Sequence, residues 1–130
     1  MRSTGWLIPE TYFFRVVGPA RYGAWYDISR AKTLTPMLFR GPFSPDIATV
    51  FNGRVYRPDL SLVPYAEVKA HLFDGRSRVI FKSDGGGRGL GIRFFTADDF
   101  DPAELGQIGK GVFQSIIEPA PELAIPGVSA

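Results

Sequence analysis

Residues 66–73 read A-E-V-K-A-H-L-F, with Ala66, Val68, Ala70 and Leu72 pointing one way and Glu67, Lys69 and His71 the other. A period of two sends successive side chains to opposite faces of a strand, so the segment predicts a strand with one buried and one solvated face. Such strands belong to antiparallel sheets, because parallel sheets are covered on both sides. Asp74-Gly75 is a favoured hairpin dipeptide, and S-R-V-I-F-K (77–82) returns as a second strand. G-L-G-I-R-F-F (89–95) alternates again, placing Leu90, Ile92 and Phe94 toward the core. Together the three segments predict a meander.

Upstream, T-Y-F-F-R-V-V (11–17) and A-W-Y-D-I-S (24–29) predict a β-hairpin closed by a longer loop. Pro36, Pro42 and Pro45 restrict residues 33–48 to an edge strand around M-L-F-R, or to an ordered loop, since proline cannot donate to a ladder. Asn52-Gly53 predicts a turn that either joins two strands or starts one. A late helix begins at Asp101, with Pro102 at the first helical position and Glu104 at the third. Leu105, Ile108, Val112 and Ile116 continue it on one face, although Gly106, Gly109 and Gly111 oppose it. The fold class expected is mainly β within α+β: a small antiparallel β-barrel or curved sheet with one C-terminal helix. At 130 residues, with 45% hydrophobic residues and 11 Phe, the chain fits one domain with a real core. The predicted division is a globular domain at 1–117 and a Pro-rich tail at 118–130.

The chemistry of catalysis finds little material here. The chain has no cysteine, which removes disulfides, thiolate zinc sites and a cysteine nucleophile. His71 is the only histidine, and alternation places it on a polar face. No serine stands in G-x-S-x-G, and Asp98, Asp99 and Asp101 are accounted for as acids at a helix start. The run F-K-S-D-G-G-G-R-G-L-G-I-R-F-F (81–95) matches neither G-x-x-x-x-G-K-[ST] nor G-x-G-x-x-G, and strands flank it on both sides. It predicts a glycine turn between strands, not a phosphate loop. No enzyme activity, cofactor or metal is expected. The first residues lack the apolar run of a signal peptide, and no segment reaches the ~20 apolar residues of a membrane span. A cytoplasmic protein with no membrane partner is the expectation.

Binding is better supplied. Of 15 basic residues 11 are Arg, whose planar fork suits phosphate, carboxylate and aromatic faces. Residues 76–93 carry Arg76, Arg78, Lys82, Arg88 and Arg93 against Asp84 alone. Basic surfaces with stacking rings on small barrels bind single-stranded nucleic acid, by phosphate contacts and sequence-tolerant stacking. The residues expected to do so are Lys69, Arg76, Arg78, Arg88 and Arg93, with Tyr65. The alternative is a protein–protein interaction or inhibitor protein, anchored by Met37, Phe39 and Phe43 in P-M-L-F-R-G-P-F.

R-V-I-F-K-S-D-G-G-G-R-G-L-G-I-R-F-F-T-A-D-D, followed by Leu105, resembles the end of PilZ domains, with D-I-S at 27–29 upstream. The resemblance implies a six-stranded barrel with a C-terminal helix. Typical members bind cyclic di-GMP. Here Lys32 stands where the D-x-S-x-x-G motif has glycine, and no R-x-x-x-R precedes Asp27. The resemblance therefore implies a degenerate regulatory domain acting through protein contacts.

Overall fold

The computed structural model describes residues 9–38, 45–86 and 89–117. The first described elements form a helical arm. Here α1 (Glu10–Tyr12) runs through a π-helical turn (Phe13–Val17) into α2 (Gly18–Tyr22), and α3 (Ala24–Arg30) follows a break at Gly23. The hairpin expected over 11–29 is thus helical. Its aromatic and β-branched residues favour strands, but propensity is a weak prior, and here Tyr26 packs back on the arm's own helices. The π turn has a local cause. Pro19 lacks an N–H and its ring crowds the carbonyl four residues back, and the wider turn lies where that conflict falls. Tyr26 closes the arm on itself, its ring buried and its hydroxyl donating to the Phe14 carbonyl at 2.8 Å.

A 3-10 turn (Lys32–Leu34) and α4 (Thr35–Leu38) occupy the start of the region expected as an edge strand or loop, and residues 39–44 lie outside those described. The strands follow: β1 (Asp46–Phe51), β2 (Arg54–Tyr56) and β3 (Leu62–Val63). Asn52-Gly53 joins β1 to β2, both residues at positive φ, 50° and 70°, the geometry that matches the twist of a two-residue hairpin.

The alternating segment is helical. A 3-10 turn (Tyr65–Glu67) leads into α5 (Val68–Phe73), which buries Val68 and Leu72 at a spacing of four and leaves Ala66 and Ala70 exposed. Asp74-Gly75 ends this helix and does not form a hairpin. His71 is half-buried on α5, with Nε2 3.3 Å from the Ile47 carbonyl. Beyond it, β4 (Arg78–Ser83) and β5 (Ile92–Thr96) form the expected hairpin around the glycine run. Its inward face is the opposite of the one expected. Phe95 is 3% exposed, whereas Leu90, Ile92 and Phe94 are 75%, 38% and 54% exposed.

The late helix is short. Asp101 caps it by accepting from the Ala103 amide at 2.9 Å, as the sequence implied. A 3-10 turn (Pro102–Glu104) and α6 (Leu105–Ile108) then stop at Gly109. The residues expected to continue the helix instead form β6 (Gly111–Ser115), with Val112 and Phe113 fully buried.

All six strands make one antiparallel sheet in the order β3-β2-β1-β6-β4-β5, open at both ends and not closed into a barrel. The expected mixed α+β, sheet-rich class holds. One face carries Val50, Val55, Val63, Val79, Phe81, Phe95 and Phe113, packed against Val68 and Leu72 of α5, Leu105 of α6 and Phe100. Phenylalanine rings fill its centre, with centroids 5.2 Å apart for Phe81–Phe113 and 5.4 Å for Phe95–Phe100. Gly111 sits opposite Ser83 where no side chain fits, since a Cβ would collide with the Lys82 carbonyl and the Phe81 ring. Thr33, Leu34 and Met37 line a cavity with Thr49, Phe51 and Tyr56 over the other face. No helix among the described residues is long and apolar enough to cross a membrane.

Candidate binding groove between the helical arm and the sheet

The turn after β4 is where the arm is fastened. The Lys32 ammonium donates to the carbonyls of Ser83 (2.7 Å) and Gly86 (2.8 Å). Thr33 grips Asp84 twice, by its amide (2.9 Å) and its hydroxyl (2.6 Å). Lys110, arriving just before β6, completes the cluster with its ammonium 3.1 Å from Asp84. Burial raises the Asp84 pKa, but the Thr33 hydrogen bonds and Lys110 outweigh it and hold the carboxyl below its ordinary range. Asp84 therefore stays ionised and occupied. Lys32 is equally committed to carbonyls.

Beside this fastening lies a cavity of about 580 Å³, lined by Glu10, Phe14, Arg15, Arg30, Lys32 and Leu90 among others. A second, of about 310 Å³, shares Arg30 and Asp84 with it and extends toward Asp27 and Lys110. The two make a groove between the arm and the glycine turn. The Arg30 guanidinium lies over the Phe14 and Tyr26 rings, 5.9 and 5.4 Å from their centroids. Neither Arg15 nor Arg30 has an ion pair or a hydrogen bond through its guanidinium among the described residues. Two counter-ion-free forks beside an aromatic wall can receive phosphate or carboxylate oxygens and a planar group.

The residues expected to bind are not gathered on one surface. Arg78 reaches over Phe94 at 5.4 Å on one face of the sheet. Arg93 lies on the other, opposite Phe81, stacked on Phe95 at 4.8 Å and paired with Glu104 at 2.7 Å. Arg76 donates to the Ser115 hydroxyl (3.1 Å) and to the Asp74 carbonyl (2.8 Å), tying the start of β4 to β6. Lys69 is exposed on α5, and Tyr65 is 62% exposed in the 3-10 turn before it. The polar meander face that was to unite them does not exist, because α5 is not a strand. Arg88, Phe39 and Phe43 lie outside the described residues, as does the tail 118–130. Met37 is 48% exposed at the end of α4. Of the residues that carry the PilZ resemblance, Asp27 and Ser29 are helical, and the Ser29 hydroxyl donates to the Tyr26 carbonyl at 2.9 Å. Asp99 and Asp101 accept backbone amides, at 2.6 Å from Thr96 and 2.9 Å from Ala103.

Sequence reasoning missed Arg15, Arg30, Lys32 and Asp84 as a group. They come from segments fifty residues apart, and no spacing rule links them. Comparison with known proteins adds no relative: no family model matches the chain, and neither a curated protein nor a solved structure is significantly similar.

Proposed function

We propose that the protein is a non-enzymatic binding module that takes single-stranded nucleic acid along the groove between the arm and the glycine turn. The observation that carries this is the pair of guanidinium groups, Arg15 and Arg30, that make no ion pair or hydrogen bond among the described residues and lie beside the half-exposed Phe14 ring. Backbone phosphates meet Arg15 and Arg30, while bases stack on Phe14 or on the exposed rings of Tyr12 and Trp25. The cations lining the groove outnumber its carboxylates by one, which suits weak, salt-sensitive, sequence-tolerant binding.

The test is fluorescence anisotropy of a labelled single-stranded oligonucleotide across a salt series. Log affinity should fall linearly with log salt. Arg15→Ala and Arg30→Ala should each weaken binding and flatten the slope by roughly 0.7, the value of one phosphate contact on a single strand. No binding, or binding indifferent to salt, would remove the proposal.

One observation favours a second reading. Tyr12, Phe13, Phe14, Val16, Tyr22 and Trp25 of the arm are each at least 38% exposed, as is Met37. Exposed aromatics interleaved with Arg are the composition of protein-interface anchors. A protein partner is also what the resemblance to PilZ domains implies. Binding that survives high salt, and is lost with Trp25→Ala but not Arg30→Ala, would favour it.

A further inference from the structure

The two edges of the sheet are finished differently. At β3 the strand is two residues long and Pro64, which has no N–H, follows it. Arg57 donates its backbone amide to the Ser61 carbonyl at 2.9 Å, so the Leu62 groups point outward, and the Arg57 guanidinium covers the Leu62 carbonyl at 3.2 Å. Short length, proline and a covering charge are the devices that stop edge pairing. The β5 edge has neither the short length nor the proline, and its own charge, Arg93, is paired with Glu104 on the core face and covers no edge carbonyl. It is five residues long, pairs with β4 without a bulge and contains no proline.

Its free groups can be identified. Ser83 donates to the Gly91 carbonyl at 2.9 Å, and in an antiparallel ladder hydrogen-bonded pairs alternate. Arg93 and Phe95 therefore bond inward to β4, and Ile92, Phe94 and Thr96 face out. The Thr96 amide is taken by Asp99 (2.6 Å) and its carbonyl by the Phe100 amide (3.1 Å). Ile92 and Phe94 keep two N–H and two C=O groups with no partner among the described residues.

We propose that a second copy of this chain pairs antiparallel along β5, about a two-fold axis at Arg93. That register sets Ile92 of each copy against Phe94 of the other and satisfies all four free backbone groups of each strand with four hydrogen bonds in total. An axis at Phe94 would make only two, because Ile92 would then meet the occupied Thr96. The chosen register also joins Ile92 and Phe94 side chains, 38% and 54% exposed, into apolar cross-strand pairs. The two Arg93 side chains meet across the axis already neutralised, each paired with Glu104 and lying over Phe95. Any extended chain presents backbone groups at this spacing, but a second copy presents them on a strand already held extended by β4, so less ordering entropy is lost. Three residues a side bury far less than the ~1,200 Å² of a stable complex, so the dimer is weak and reversible.

Sedimentation velocity of the full chain over a concentration series, with amide hydrogen exchange at both ends of the series, tests this. The average mass should climb from one chain toward two. The Ile92 and Phe94 amides should become more protected as it does, while Arg93 and Phe95 stay protected throughout. Phe94→Lys places a charge on the exposed edge, and Ile92→Lys does so by a second position in case the first disturbs the hairpin. Either variant should hold the protein monomeric with the Arg93 amide still protected. A monomer at every concentration would overturn the proposal. So would a dimer that both lysine variants leave intact, or one that forms without slowing exchange at Phe94.

Discussion

Asp84 shares the attachment of the arm with the Lys32 ammonium, which holds the neighbouring carbonyls. It accepts two hydrogen bonds from Thr33 and an ion pair from Lys110, and its side chain is only 13% exposed. Hydrogen bonds to a charged group contribute about 1.5–3 kcal/mol, so Asp84→Asn should lower stability by about that much, read as a shift in the urea midpoint. Acid should act the same way. The folded-state pKa is lowered, so this contribution is complete above the ordinary aspartate pKa of ~3.9 and is lost as pH falls below it through the folded value. Wild type and Asp84→Asn should therefore converge in stability on acidification; curves that stay parallel would show that the carboxylate carries no such energy. In the sequence Asp84 is one acid beside a glycine run, and nothing local marks it. Its partners Thr33 and Lys110 become visible only once the strands are ordered.

At the scale of elements, what could be read depended on whether a pattern had one solution. The β4–β5 hairpin was legible, as were the Asn52-Gly53 turn and the Asp101 cap, because turn and cap chemistry are local. The alternation at 66–73 had two solutions. Alanine contrasts weakly with polar neighbours, and Ala, Glu, Lys and Leu are strong helix formers, so Val68 and Leu72 fit a helical stripe as well as a strand face. Substitution separates the two. Leu72→Ala should cost about 2–5 kcal/mol, whereas Ala70→Glu, on the exposed side of α5, should stay within about 0.5 kcal/mol of wild type in urea melts. A severe loss at Ala70 would return the segment to a strand. The β5 face was misread for a related reason: Phe94 and Phe95 are adjacent, and composition does not say which points inward. The late helix failed at Gly109 and Gly111, the residues that already argued against it. The arm was lost because its aromatic run matches strand propensity, while what fixes it is Tyr26 packed against its own helices.

For the molecule as a whole, the sheet gathers segments in an order unlike that of the chain. The last described strand, β6, lies between β1 and β4 and is the one strand among the described residues that pairs with both the β1–β2–β3 group and the β4–β5 hairpin. It also brings Phe113 to the centre of the phenylalanine cluster. A chain ending before Gly111 keeps both groups but loses their common neighbour, and should show neither a cooperative thermal transition nor slow amide exchange in β1 and β4. Cooperative melting of that fragment would refute this. The same arrangement has a meaning for synthesis. Two sticky half-sheets leave the ribosome first and must be kept from other chains until the strand that unites them emerges. The interval of greatest exposure to misassembly thus lasts until residues 111–115 emerge, and a pause just before them would lengthen it.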